Sequence, residues 1–227
     1  MSFKRIYDAL TKAPLLEKAY NDAWKMHALV KEMFEESSKC LIGCDISVAK
    51  KLSLEDKRIN KAEKKIRREV MEYLAVTTAP NLSASLILIS IVIDYERIGD
   101  LCKNIAQVCI EYPADFDDEE YVKDINEIKN NLSKMFDLTL VAIEQSDTEK
   151  AKEAIGIHDN IKEIHNSIIK RLNEDEKIST TNAISYALLT GYFRRINAHL
   201  ANICTGVLYP FPALGFGYEV GGDLDGP

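Results

Sequence analysis

Glu96 and Asp100 are the residues of this chain whose types and spacing most readily do chemistry. Four positions apart on a helix, both carboxylates project from one face, about one turn from each other. Like charges at that spacing repel, so the pair is mildly destabilising unless something positive lies opposite. A bound cation is one counter-charge, and Arg97 or another basic side chain is the other. A second set, Asp56, Asn60 and Glu63, stands at steps of four and three, again on one helical face. If the helices carrying the two sets pack antiparallel with those faces meeting, five oxygen-bearing side chains converge. Such a donor set suits Mg²⁺, Ca²⁺, Mn²⁺ or iron and contains no soft ligand.

The remaining reactive residue types are sparser. His158 and His165 are seven apart and share a face, with His199 on a neighbouring segment; the three make a zinc site imaginable, against the simpler reading of hydrogen-bonded core or surface residues. Five cysteines, an odd number without framework spacing, read as reduced cytosolic thiols. Cys40 and Cys44 sit one turn apart, but two thiolates do not make a zinc site, and they read as packing residues. Carboxylate-bridged di-metal enzymes of the helical-bundle type use Glu-x-x-His pairs. The residues three before each histidine are Trp24, Ile155, Lys162 and Ile196, which counts against that class. No nucleophile-elbow, Walker or dinucleotide-binding pattern appears.

A net charge of −7 and a pI near 5.3 argue against a general nucleic-acid binder. The basic stretch from Lys57 to Arg68 interleaves with Glu55, Asp56, Glu63 and Glu69, and reads as a solvated helix face laced with ion pairs. No apolar stretch follows the N-terminal residues, so no signal peptide is expected. The longest apolar run, Leu86 to Ile93, is far below the roughly 20 residues that span a bilayer. A cytoplasmic location is the expectation.

The elements that must position these residues are helices. Half of the ten glycines lie at or after Gly215, leaving the body poor in helix breakers. Apolar residues recur at three- and four-residue steps up to about residue 206. The pattern predicts helices over 14–41, 46–76, 81–110 (with Asn81 or Ser83 as N-cap), 118–145, 148–172 and 179–207. An acidic turn over 113–120 divides the two halves. The fold class is therefore all-α, six long helices in two tandem antiparallel three-helix bundles, an elongated and thin object. The predicted division is 1–113, 114–207 and a Gly/Pro-rich tail over 208–227, whose aromatics could dock on the body or a partner and which otherwise reads as a flexible end.

The halves look like a repeat. A shift of 98 positions carries Arg97 onto Arg195, Ile98 onto Ile196, Asn104 onto Asn202 and Ile105 onto Ile203. In the middle helices a shift of 102 sets Ile59 on Ile161 and Ile66 on Ile168. The second copy departs where the chemistry lies. Arg194 and Ala198 replace Glu96 and Asp100, while His158, Lys162 and His165 replace Asp56, Asn60 and Glu63. An arginine and an alanine cannot carry a carboxylate cluster, so the second half is expected to hold no equivalent metal, with Arg194 supplying its own fixed charge.

The stretch Asp94-Tyr95-Glu96-Arg97-Ile98-Gly99-Asp100-Leu101-Cys102-Lys103-Asn104-Ile105 resembles the signature of the PhoU family, a Glu-Arg-Ile-small-Asp core followed by Asn-Ile. The segment from Asp56 to Glu63 resembles the middle-helix pattern of the same family. The likeness runs over roughly residues 14–206, strong in the first half and weak in the second. It implies a double three-helix bundle and, as in some members, iron or zinc held by such motifs. It also implies a non-enzymatic regulator of phosphate uptake and signalling that contacts a phosphate transporter and a sensor histidine kinase. On this likeness Glu96 and Asp100 match ligand positions, Asp56 matches the first middle-helix position, and Asn60 stands where a second carboxylate often sits; Glu63 completes the face by spacing. A homodimer is compatible with elongated bundles. The competing expectations are a carboxylate-bridged di-metal enzyme and a metal-independent scaffold on the cytosolic face of an ion or phosphate transporter.

Overall fold

The computed structural model describes residues 14–39, 46–112 and 118–215. Among these residues it contains six long α-helices: α1 (Pro14–Lys39), α2 (Ile46–Val76), α3 (Leu82–Glu111), α4 (Glu119–Gln145), α5 (Thr148–Glu174) and α6 (Thr180–Leu208). A short 3₁₀ turn, Phe211–Ala213, follows. Each boundary has a local cause. Asn81, rather than Ser83, caps α3: its side-chain oxygen accepts from the Ala84 amide at 3.1 Å, and its own N–H donates to the Tyr73 hydroxyl at 2.8 Å. Asp118, Asp147 and Ser179 cap α4, α5 and α6 in the same manner. The reversal from α4 to α5 needs two residues, Ser146 in the left-handed region (φ 55°) and the capping Asp147. Leu41, the predicted end of the first helix, and the Cys40/Cys44 pair lie outside the described residues.

Within the first bundle α1 packs on α2 and α3, and α2 packs on α3; α4, α5 and α6 repeat the arrangement. Short connections make sequential helices antiparallel, so the first and third of each trio run parallel. Tyr20 accordingly reaches the Ala84 carbonyl and His27 reaches Tyr95, both partners advancing together along α1 and α3. The bundles then join side by side. Helices α3 and α6 run antiparallel along their length: Gly206 meets Ile87, His199 meets Asp94, and Ser185 donates to the Tyr112 carbonyl. A Cβ at Gly206 would lie 3.2 Å from Ile87 Cγ2, so glycine sets how closely the seam closes there. Alongside, α1 touches α4 through the Phe34–Phe136 rings, 5.3 Å apart, and the Lys31–Asp137 ion pair at 2.5 Å.

One contiguous apolar core therefore serves both bundles. Helices of 26 to 31 residues span roughly 40 to 45 Å. Each bundle supplies the cover for the other's seam-facing apolar stripe. The repeat also reaches further than the sequence comparison took it: Met33-Phe34 of α1 recurs as Met135-Phe136 of α4, at the 102-residue shift of the middle helices. Both pairs are fully buried, and the two phenylalanines face each other across the seam. The start of the predicted tail is docked rather than loose, with Phe211 and Leu214 packed on the core; residues 216–227 lie outside the described ones.

Candidate functional site

The carboxylate face forms where α2 and α3 pack. Asp56 is buried, and its Oδ2 accepts from the Asn60 side-chain amide at 3.3 Å. Burial first, then Asp100, push the Glu96 carboxyl above the usual range; Arg97 pulls it back, and Glu63 and Asp56 add smaller upward pushes. The five predicted residues thus share one inter-helix face. Their counter-charges are basic side chains. The Lys103 ammonium bridges Asp56 Oδ2 at 3.0 Å and Asp100 Oδ1 at 2.8 Å, Arg67 meets Glu63 at 3.1 Å, and Arg97 lies 3.6 Å from Glu96. Among the described residues no three His, Cys, Asp or Glu side chains stand close enough to hold one ion.

The donor chemistry nonetheless suits a hard or borderline cation. Asp56 Oδ1 is buried without a hydrogen-bond partner, and Glu96 feels the charges of Asp100, Glu63 and Asp56 without closing into a cluster with them. A metal bound by Asp56 and Asp100 must displace Lys103, whose side chain is 31% exposed and so has solvent to move into. Sequence reading passed over Lys103 although it stands three residues after Asp100, a spacing that itself predicts an ion pair.

Gly99 explains the small residue in the motif. A Cβ there would approach Ile59 Cδ1 of α2 to 3.0 Å, so glycine lets α2 close on α3 at the level of Glu96 and Asp100. The second bundle solves the same contact differently. Asn197 occupies the matching position, fully buried, and donates to the His158 carbonyl of α5 at 3.0 Å.

The charge inversion read from the repeat has a physical counterpart. Just as Glu63 acts on Glu96 in the first bundle, Arg194 acts on His165 in the second, adding to the burial that already lowers that imidazole's pKa. His158 is likewise lowered, by burial first. The three-histidine zinc arrangement is not formed. His199 turns into the seam instead, with its Nδ1 2.8 Å from Asp94 Oδ1 of α3.

That contact belongs to a feature the sequence did not announce. A cleft of about 220 Å³ lies between α3 and α6, lined by Ser90, Asp94, Asn202 and Gly206 and covered by Leu214 and Gly215. Burial raises the Asp94 carboxyl while His199 and Asn202 draw it back down. Asp94 and His199 are 105 residues apart on different bundles, so no local spacing rule connects them. Only the antiparallel register of α3 and α6 does.

Comparison with known proteins agrees with this architecture. The profile of the PhoU domain matches residues 24–109 and again residues 125–207, one copy on each bundle. A protein of Thermotoga maritima named phosphate-specific transport system accessory protein PhoU homolog 1 is 26% identical over 196 residues, covering 83% of this chain and 84% of its own. A Pseudomonas aeruginosa protein named phosphate-specific transport system accessory protein PhoU homolog is 26% identical over 202 residues, covering 86% and 82%. The crystal structure of the phosphate transport system regulatory protein PhoU from Streptococcus pneumoniae superposes with a TM-score of 0.78 at 21% identity, over 89% of this chain and 95% of that one, a likeness of fold. With both domain copies matched in tandem over most of its length, the chain belongs to the PhoU-domain family.

Proposed function

We propose that this protein is a non-enzymatic accessory regulator of phosphate uptake and phosphate-dependent signalling. It acts on the cytoplasmic side by binding a membrane phosphate transporter, a sensor histidine kinase, or both. The observation that carries the reading is the tandem match to the PhoU domain, together with relatives named as accessory proteins of phosphate-specific transport. The site chemistry is consistent with it: the functional face is an array of paired charges between helices, suited to binding rather than turnover. No described helix is long and apolar enough to cross a membrane, so contact with the bilayer is assigned to the partner. The deciding experiment is a pull-down from phosphate-replete cells. Recovery of a phosphate transporter or sensor kinase supports the reading, and a partner set unrelated to phosphate sinks it.

Within this reading, Glu96, Asp100, Asp56, Asn60 and Glu63 hold an iron- or zinc-class cation in the first bundle, with Mg²⁺, Ca²⁺ and Mn²⁺ as other candidates for an all-oxygen set. A bound ion would supply fixed positive charge to the carboxylate face. A specific observation favours a second version, a metal-independent scaffold: Lys103 already bridges Asp56 and Asp100. Elemental analysis of purified protein before and after chelation separates the two. Lys103→Met should raise metal content if the ammonium competes with the ion. Metal-free protein, with partner binding unchanged in the Glu96→Ala/Asp100→Ala double variant, leaves the scaffold.

A further inference from the structure

The cleft on the α3–α6 seam sets two hydrogen-bond acceptors among apolar walls. Asp94 stands in its wall with a side chain 15% exposed. The carboxylate is held by the His199 ring, 2.8 Å away, and by the Asn202 side-chain amide, and no lysine or arginine lies within 4.0 Å of it among the described residues. The other end of that amide is left over: Asn202 Oδ1 is buried without a hydrogen-bond partner. Gly215 lies over this oxygen, since a Cβ added there would stand 3.4 Å from it. Its own N–H, donating to the Thr205 hydroxyl at 3.1 Å, holds Gly215 down. Around the two acceptors the walls are Ile91, Ile93 and Leu214. The volume, about 220 Å³, exceeds the roughly 150 Å³ that lets an apolar cavity hold a benzene ring.

We propose that this cleft binds a small primary alkylammonium ion, its N–H donors shared between the Asp94 carboxylate and Asn202 Oδ1 and its carbon chain lying against Ile91, Ile93 and Leu214. The walls select that class. An anion would meet Asp94, and an apolar ligand would shut a carboxylate and an amide oxygen away from water without a partner, which costs free energy. A metal ion finds too few ligands, since among the described residues no third His, Cys, Asp or Glu joins Asp94 and His199. An ammonium carries three donors and a charge opposite to that of Asp94. Gly215 then acts as a lid: it covers the unpartnered oxygen in the closed form, and releasing its hydrogen bond to Thr205 opens that oxygen to the ligand. Because α3 and α6 belong to different bundles, an occupant ties the two together and adds to the stability of the whole. The site stands independently of the phosphate-regulator reading.

The test is a titration of the purified full chain with n-butylammonium chloride at about pH 8, where an imidazole of ordinary pKa is neutral. The His199 ring resonances are followed by NMR, against sodium chloride at matched ionic strength. The expected result is a saturable shift with butylammonium and none with sodium chloride, together with a higher unfolding midpoint. Butyltrimethylammonium, which keeps the charge but has no N–H, should bind at least about tenfold more weakly, and 1-butanol should leave the signals in place. Asp94→Asn, which keeps an oxygen for His199, should weaken butylammonium by at least about tenfold. Ser90→Leu, filling the cleft with Asp94 untouched, should abolish the shift, whereas Thr205→Val, which frees Gly215, should keep it. Nα-acetyl-lysine methylamide presents the same alkylammonium on a peptide: binding as tight as that of butylammonium makes a lysine side chain of another protein the occupant, and weaker binding makes it a free amine. A shift that follows ionic strength alone, that 1-butanol or butyltrimethylammonium reproduces, or that survives both Asp94→Asn and Ser90→Leu overturns the site, and its loss in Thr205→Val overturns the lid.

Discussion

His27 is the residue whose burial has the clearest measurable consequence. It is 1% exposed among α1, α3 and α4, with Nδ1 3.0 Å from the Tyr95 hydroxyl and Phe136 edge-on to its ring. Burial, aided by Lys31, lowers its pKa to about 4 from the ordinary 6.5. Because the folded value lies below the unfolded one, its contribution is fully present above pH 6.5 and is lost as pH falls toward 4, a span worth roughly 3 kcal/mol. Urea unfolding at stepped pH should therefore show stability falling between these limits, with His158 and His165 adding in the same direction. In His27→Gln the slope against pH should drop by about one proton; an unchanged slope would remove His27 as its source. At the seam, Asp94→Ala strips His199 Nδ1 of its acceptor in a half-buried place and should cost about 1–3 kcal/mol, with Asp94→Asn costing less because an acceptor oxygen remains. Equal losses in the two variants would mean that packing, not the hydrogen bond, holds that point.

At the scale of elements, the separation of α2 and α3 at the carboxylate face is set by Gly99 against Ile59. Gly99→Leu forces side-chain volume into a place where a Cβ alone would already lie 3.0 Å from Ile59 Cδ1, and should destabilise by about 1–3 kcal/mol. Gly156 of α5 is the control, since a Cβ there meets nothing within 4 Å. Gly156→Ala should stabilise by about 0.5–1 kcal/mol through helix propensity alone. Chemical denaturation of both variants checks the pair, and a loss at Gly156 would contradict the helix assignment at that position. Helix placement was legible in the sequence because caps and periodicity are local: Asn81, Asp118, Asp147 and Ser179 each satisfy amides two or three residues on. The carboxylate face was legible for the same reason, its spacings being those of single helices. Lys103 between Asp56 and Asp100 was only half legible, because the Asp100 contact is local and the Asp56 contact spans two helices.

For the whole molecule, the consequence of the shared core is cooperativity. The seam buries Ile87 and Ile91 of α3 against α6, and Phe34 of α1 against Phe136 and Phe193 of the second bundle. Neither bundle covers these side chains by itself. Trp24, the single tryptophan, lies in α1 and reports on the first bundle, whereas far-UV circular dichroism weighs all six helices. The two signals should give the same unfolding midpoint; separated midpoints would show that the bundles unfold independently.

By itself the sequence determined what depends on short range: six helices, their caps, the two carboxylate sets on single faces, the doubling of the plan and the inversion of charge in its second copy. Each of these follows from residues within one or two turns of one another, or from likeness between two such stretches. The tertiary structure alone decided how the halves meet. It set α3 antiparallel to α6, brought Asp94 to His199 across 105 residues, put Phe34 on Phe136, and docked the residues up to Gly215 over the seam. Amphipathic periodicity says which stripe of a helix is buried but not which helix buries it. That choice rests on the fit of whole surfaces, as where Gly206 lets Ile87 approach.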